Sequence, residues 1–262
     1  QKEPVIDMPT RFVDFMRVLV PMAGDDTTPE GEQVNIYGNH VGSWNFAATA
    51  YLNRWKVKIY YEHYFDDHSQ MFFQYGRWKD GHIGLEITFP KNRFIDTFVY
   101  EGLGTKDQTG PMLYDSFWGK FEEQISAKDN YYNHYLYQGW QHWGMGIGNP
   151  LLPGPIYNKN GQITFISNRV LAHHIGFCGS PCQSLSYRML LSYSRHWGTY
   201  DNPLNEIKKQ FNSLFEVTYA PQQLTGWSFT VSGAMDRGSI LGNNYGGMLV
   251  IRKQGIIKSG NK

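Results

Sequence analysis

Residues 55–65, WKVKIYYEHYF, place Trp55, Val57, Ile59, Tyr61, His63 and Phe65 on one side of an extended chain and Lys56, Lys58, Tyr60, Glu62 and Tyr64 on the other. A period of two predicts a β-strand. Eleven residues is about twice the usual length of a strand in a soluble domain. Similar alternation recurs down the chain. Residues 42–53 group Trp44, Phe46, Ala48, Ala50 and Leu52, and residues 82–90 group Ile83, Leu85, Ile87 and Phe89 opposite Gly84, Glu86 and Thr88. Residues 184–195 set Leu185, Tyr187, Met189, Leu191 and Tyr193 against serines and Arg188, and residues 226–236 set Trp227, Phe229, Val231 and Met235 against Ser228, Thr230, Ser232 and Asp236. Four weaker strands are expected over 94–103, 168–178, 212–220 and 243–252. In 94–103 Asp96 and Glu101 fall on opposite faces and leave inside and outside unassigned, whereas 212–220 most simply points Phe215, Val217 and Tyr219 outward and Glu216 inward.

The connections sort by length. Short turns at 53–54, 90–93, 179–183 and 221–225 alternate with longer stretches at 66–81, 104–167, 196–211 and 237–242. An up-and-down transmembrane barrel has short turns on one side of the membrane and longer loops on the other, and a Greek-key sandwich has no reason to do so. The predicted fold is therefore all-β: an antiparallel up-and-down transmembrane β-barrel over 42–252, after an N-terminal segment 1–41 and before a tail 253–262. In 1–41 the run from Phe12 to Val20 predicts a short amphipathic helix inside the lumen or, equally, a buried strand. Nine strands leave two bare edges, which lipid does not tolerate. Either further strands lie in 104–167 or this chain is the C-terminal part of a larger barrel. It opens with Gln1 rather than Met, so a leader or more can precede it.

Composition narrows the partners. A net charge of +1 argues against nucleic acid, and no run of about 18 apolar residues suggests a membrane-spanning helix. The chain is polar on average, yet 16% of its residues are aromatic, including 8 Trp and 18 Tyr, a mixture suited to strands that meet lipid on one face and water on the other. The two cysteines, Cys178 and Cys182, are spaced CxxxC and can form a disulfide across a turn or remain free thiols. His173 and His174 are adjacent on a strand and point to opposite faces. No metal-binding motif occurs, and no metal or cofactor is expected.

In order along the chain come GEQVNIYGNHVGSWN (31–45), GRWKDGHIGLEI (76–87), VYEGLGTKDQTGP (99–111), KDNYYNHYLYQGW (128–140), NRVLAHHIGF (168–177) and YSRHWGTY (193–200). This succession resembles the capsule assembly Wzi family in its Bacteroidetes-type form. The resemblance implies an eighteen-stranded outer-membrane barrel, plugged by its own extracellular loops, that holds capsular polysaccharide at the bacterial cell surface as a lectin and catalyses nothing. Nine strands are half of that number. Its implied partners are capsular or other surface polysaccharide, outer-membrane lipid or lipopolysaccharide, and either the remaining half of the barrel or a larger envelope complex.

Lys56, Lys58, Glu62, Glu86, Arg188 and Glu216 are assigned to the lumen, because Lys or Arg facing lipid near the midplane costs about 2–4 kcal/mol. They either pair across the lumen to hold a plug or line a pathway. Sugar binding needs flat aromatic surfaces beside amide and carboxylate partners. The stretch 104–167 has both, in Asp129, Tyr131, Tyr132, Trp140 and Trp143, although the same aromatics can equally form the loop's own small core. Arg77, Trp78 and Lys79 in 66–81, and Arg195 with Trp197, are further candidates for gripping an acidic glycan. Trp197 equally suits an interfacial aromatic belt. A glycan-conducting porin, an outer-membrane hydrolase and a soluble sandwich lectin are the rival classes.

Overall fold

A computed structural model describes residues 9–20, 22–28, 33, 37, 38, 40–66, 71, 79–92, 94–108, 129–134 and 139–255. Nine strands form one antiparallel sheet: β1 (Val41–Leu52), β2 (Trp55–Asp66), β3 (Gly81–Thr88), β4 (Thr97–Gly104), β7 (Val170–Cys182), β8 (Leu185–Gly198), β9 (Pro203–Tyr219), β10 (Trp227–Gly238) and β11 (Asn244–Lys253). Each pairs with its neighbour in the chain order of that sheet, with no crossover. A separate two-stranded hairpin, β5 (Gln141–His142) with β6 (Met145–Gly146), lies within the long connection between β4 and β7. Among the described residues of 104–167 no strand joins the main sheet, so the described part of that connection supplies none of the further strands expected there.

The register turns the period-2 pattern into two continuous faces. Val57, Ile87, Phe98, Phe177, Met189 and Phe215 are successive partners across six strands. On the opposite side Tyr60, Gly84, Glu101, His174, Ser192, Asn212, Asp236 and Asn244 form a row. Glu101 thus joins the polar face, while Asp96 lies in the turn before β4 and accepts a hydrogen bond from Ser180 Oγ at 2.8 Å. Glu216 also stands on the polar face, with Phe215 and Val217 on the other. The apolar face has no second sheet against it among the described residues: Ile59, Phe215, Val231 and Leu249 are all exposed, Leu249 at 65%. That is the reverse of a sandwich, whose apolar faces meet each other.

One expectation, on the loops, is corrected: most of 196–211 is strand, because β8 continues to Gly198, β9 begins at Pro203, and only 199–202 connect them. The alternation of short and long connections therefore fails in the C-terminal half. Closure into a barrel is not detected among the described residues, and β1 and β11 are the two ends of the sheet, the two edges that nine strands leave. With every pairing antiparallel, the first and ninth strands run the same way, so they cannot close on each other by the pattern that joins the rest. Of the two alternatives for the cysteines the structure has the second, with Cys178 and Cys182 as free thiols on one strand. Four extended residues separate their Cα atoms by roughly 13 Å, less the effect of the register shift between them, whereas a disulfide needs about 4.4–6.8 Å.

Residues Phe12–Leu19 form helix α1, not a strand, with Phe12, Phe15 and Leu19 exposed rather than packed in an interior. Its buried residue is Asp14, held by Arg11 Nε at 3.0 Å and Arg17 at 3.3 Å. Asp25 joins the same cluster, 2.7 Å from Arg17. Among the described residues no helix is long and apolar enough to cross a membrane, which says nothing of strands.

Candidate functional site

The polar face is not bare at the end where β1 begins and β2 ends. Leu103, Val170 and Ala172 on that face pack against Tyr132, Leu152 and Phe165 from the long connection. Tyr132 meets Phe165 edge-on at 5.0 Å and stacks on Trp140 at 5.9 Å. Amide side chains replace regular structure here. Asn133 exchanges two hydrogen bonds of 2.8 Å with the Phe165 backbone, imitating a strand pair, and Asn168 Nδ2 donates to Asn130 Oδ1 and to the Tyr131 carbonyl. The β5–β6 hairpin turns at Trp143 and Gly144, both with positive φ, as a two-residue hairpin turn of the primed type requires.

Asp80 anchors this layer to the strands. Its carboxylate accepts from the Asp107 amide at 2.8 Å, the Gln108 amide at 2.5 Å and the Tyr131 hydroxyl at 2.9 Å, and its carbonyl accepts from His63 Nδ1 at 3.2 Å. The residue is 1% exposed. Burial pushes the Asp80 carboxyl above its ordinary range against the pull of these donors, and burial likewise pushes the Tyr131 phenol well up. No sequence pattern singled out Asp80, which reads in Lys79-Asp80-Gly81 as an ordinary turn residue.

Between this layer and the sheet lies a cavity of about 630 Å3, within the range of small-ligand sites. Ser43, Glu62, His82, Glu101, His174 and Ser192 line it from the strands, and Tyr131, Tyr132, Trp140 and Asn149 from the connection. His82 stands between two carboxylates, with Nδ1 3.7 Å from Glu62 and Nε2 3.5 Å from Glu101. Ser43 Oγ donates to Glu62 at 2.7 Å, and the Tyr60 hydroxyl donates to Glu101. His174 Nδ1 meets Ser192 Oγ at 2.7 Å, while its neighbour His173 faces the other way and meets Tyr100. Planar aromatic walls beside hydroxyl, amide and carboxylate groups are the elements that grip a sugar ring. Among the described residues no three His, Cys, Asp or Glu side chains converge as metal ligands.

The predicted residues divide. Tyr131, Tyr132 and Trp140 come together at the cavity, and the hydroxyls of both tyrosines are engaged, Tyr131 with Asp80 and Tyr132 with the Asn149 amide at 2.9 Å. Asp129 is buried beneath them. Trp143 does not line the cavity; it stands at the hairpin tip, 85% exposed. Lys79 pairs with Asp107 at 3.6 Å on the far side of the sheet, and Arg77 and Trp78 lie outside the described residues. Arg195 partners Leu171 and Lys209, so it and Trp197 belong to the apolar side, away from the cavity. Glu62 alone of the six lumen charges lines the cavity. Elsewhere on that face Lys56 lies 3.5 Å from Glu86, Lys58 sits over the Tyr60 ring, and Arg188 pairs with Glu216 at 2.8 Å. Sequence reasoning missed His82, Glu101, Ser43 and Ser192. Their strands were legible, but the register that gathers them was not.

Compared with known proteins, the chain matches no family model and no curated protein.

Proposed function

We propose that this protein is an outer-membrane β-barrel of the Wzi type that retains surface polysaccharide in the cavity between its polar face and the inserted connection, without cleaving it. The observation that carries the reading is the two-sidedness of the sheet. No Asp or Glu occurs at the apolar positions of the paired registers, and the only Lys or Arg there are Arg195, Lys209 and Arg237 towards one end and Lys253 at the other. A band of apolar side chains bounded at both ends by cations and by Trp and Tyr suits a hydrocarbon layer between two polar interfaces. The paired charges then face an enclosed wet interior, and the edges of β1 and β11 are covered by further strands, since lipid tolerates no bare edge.

The glycan reading rests on the cavity chemistry, with the resemblance of the ordered sequence blocks to the Wzi family as its second support. Binding of purified capsular polysaccharide by the detergent-solubilised protein tests it. Trp140→Ala is expected to weaken binding about tenfold while heat-modifiable gel mobility persists. Equal binding by wild type and variant contradicts the cavity as the site.

A second reading has one observation in its favour. Glu62 and Glu101 both face the cavity, and a pair of carboxylates is the equipment of glycoside hydrolysis. Both are engaged with the same imidazole, so neither is set apart as the acid. Release of reducing ends from capsule, abolished by Glu101→Gln, would favour the hydrolase.

A further inference from the structure

Five cations gather on the apolar side of the sheet at the end nearest the inserted connection, and Arg237 stands one strand further on. Lys106 lies 4.8 Å and Arg195 5.5 Å from the ring of Trp197, and Arg169 lies 3.8 Å from the ring of Tyr200. Arg195 is the direct cross-strand partner of Lys209, a like-charge pairing that costs stability unless something offsets it. Lys79 is the fifth, and its charge is met by Asp107. Among the described residues no carboxylate pairs with Lys106, Arg169, Arg195 or Lys209. Aromatic rings hold Lys106, Arg169 and Arg195 in place, and none of the four cations has an ion-pair partner among the described residues.

Three of these cations, Lys79, Lys106 and Arg169, line a second cavity of about 440 Å3 together with Gly104, Leu171 and Tyr200. Two acids also border it. The Asp80 oxygens are taken up by two amides and a phenol, and Asp107 is the partner of Lys79. Leu171 lies beside Arg195 in the same row, and the next row on that face carries Tyr193 and Phe211. A ligand that satisfies both surfaces is anionic at one end and hydrocarbon at the other. Arg guanidinium forks and Lys ammonium charges suit phosphate oxygens, and clusters of basic residues beside a membrane surface attract anionic lipid head groups.

We propose that this rim binds the phosphate groups of an acylated, phosphorylated lipid whose chains lie along the apolar face. The site rests on the membrane reading above and is separate from the glycan cavity, which opens on the other face. Lys106 and Arg169 hold the phosphate at the second cavity, and Arg195 with Lys209 extends the cationic surface beside it.

The test uses the protein in mixed micelles with bisphosphorylated lipid A, with the same lipid stripped of phosphate, and with inorganic phosphate alone. Native mass spectrometry counts retained molecules. The expected result is retention of the phosphorylated lipid about tenfold above the stripped lipid, loss of that preference in Lys106→Gln/Arg169→Gln, and no change in Lys253→Gln at the opposite end. Arg195→Gln provides a second, independent variant, and unaltered heat-modifiable mobility shows that each is folded. Equal retention of both lipids, an unchanged preference in the folded double variant, or binding of inorganic phosphate with no dependence on acyl chains overturns the proposal while leaving the membrane reading intact. A protein that stays soluble without detergent and enters no micelle overturns both.

Discussion

The Tyr60 hydroxyl reaches across the whole of strand β3 to donate a hydrogen bond to the Glu101 carboxylate. It can do so because Gly84 lies between them as the partner of both, and a Cβ there would come within 2.0 Å of the Tyr60 ring. Glycine weakens a strand interior by itself, and here the aromatic ring fills the gap it leaves. Gly84→Val should displace the ring and destabilise the protein by about 1–3 kcal/mol, whereas Tyr60→Phe, which keeps the packing, should cost about 1 kcal/mol. Urea-induced unfolding in detergent or lipid, read by tryptophan fluorescence, checks both. A Gly84→Val variant as stable as wild type would show that the ring has room elsewhere.

Asp80 joins the inserted connection to the sheet through three donors, the Asp107 and Gln108 amides and the Tyr131 hydroxyl. Asp80→Ala leaves the Asp107 and Gln108 amides and the Tyr131 hydroxyl without their acceptor and should destabilise this layer by about 2–4 kcal/mol. Hydrogen exchange should rise at 105–108 and 129–134 and stay unchanged in β9 and β10. Uniform acceleration through all strands would mean that the layer and the sheet unfold as one.

The cluster on α1 makes a pH prediction. Arg11 foremost holds Asp14 below the ordinary carboxylate range, and the Thr27 hydroxyl and then Arg17 do the same for Asp25. Both folded values lie below the unfolded ones, so the stabilisation is present above the ordinary carboxylate range and disappears as pH falls through the lowered values. Amide exchange in Phe12–Leu19, corrected for intrinsic rate, should be constant between about pH 5 and 8 and accelerate only below about pH 4. Loss of protection already near pH 6 would contradict this assignment.

Trp143 is held at a hairpin tip with positive φ, a conformation unusual for a bulky side chain, and contributes little to the core. Trp143→Gly should therefore leave stability within about 0.5 kcal/mol of wild type. If the tip touches glycan, capsule affinity falls in the same variant. A large loss of stability would place Trp143 among the structural aromatics instead.

Legibility followed burial asymmetry. The strands over 55–65, 184–195 and 226–236 could be read from sequence because one face is apolar and the other is not, and the structure places β2, β8 and β10 there. The start of β9 could not be read, since Pro203-Leu-Asn-Glu-Ile-Lys-Lys-Gln carries polar groups on both faces and alternation gives no signal. The aromatics of 129–143 were recognisable as a group, yet their division between core (Tyr132), anchor (Tyr131) and exposed tip (Trp143) depends on contacts with β4 and β7 far away in the chain. Arg195 and Trp197 appeared suited to glycan, and the register sends them to the opposite face.

The most direct measurement places nitroxide labels on both faces of the sheet in lipid bilayers, after Cys178 and Cys182 are replaced by Ser. Labels at Ile59→Cys, Phe215→Cys and Leu249→Cys report one face, and labels at Thr49→Cys, Asn212→Cys and Ala234→Cys report the other. The account predicts that the first set relaxes faster with molecular oxygen, which partitions into hydrocarbon, and the second with a water-soluble nickel chelate. Nickel access equal on both faces, or a first set shielded from both reagents, would contradict it.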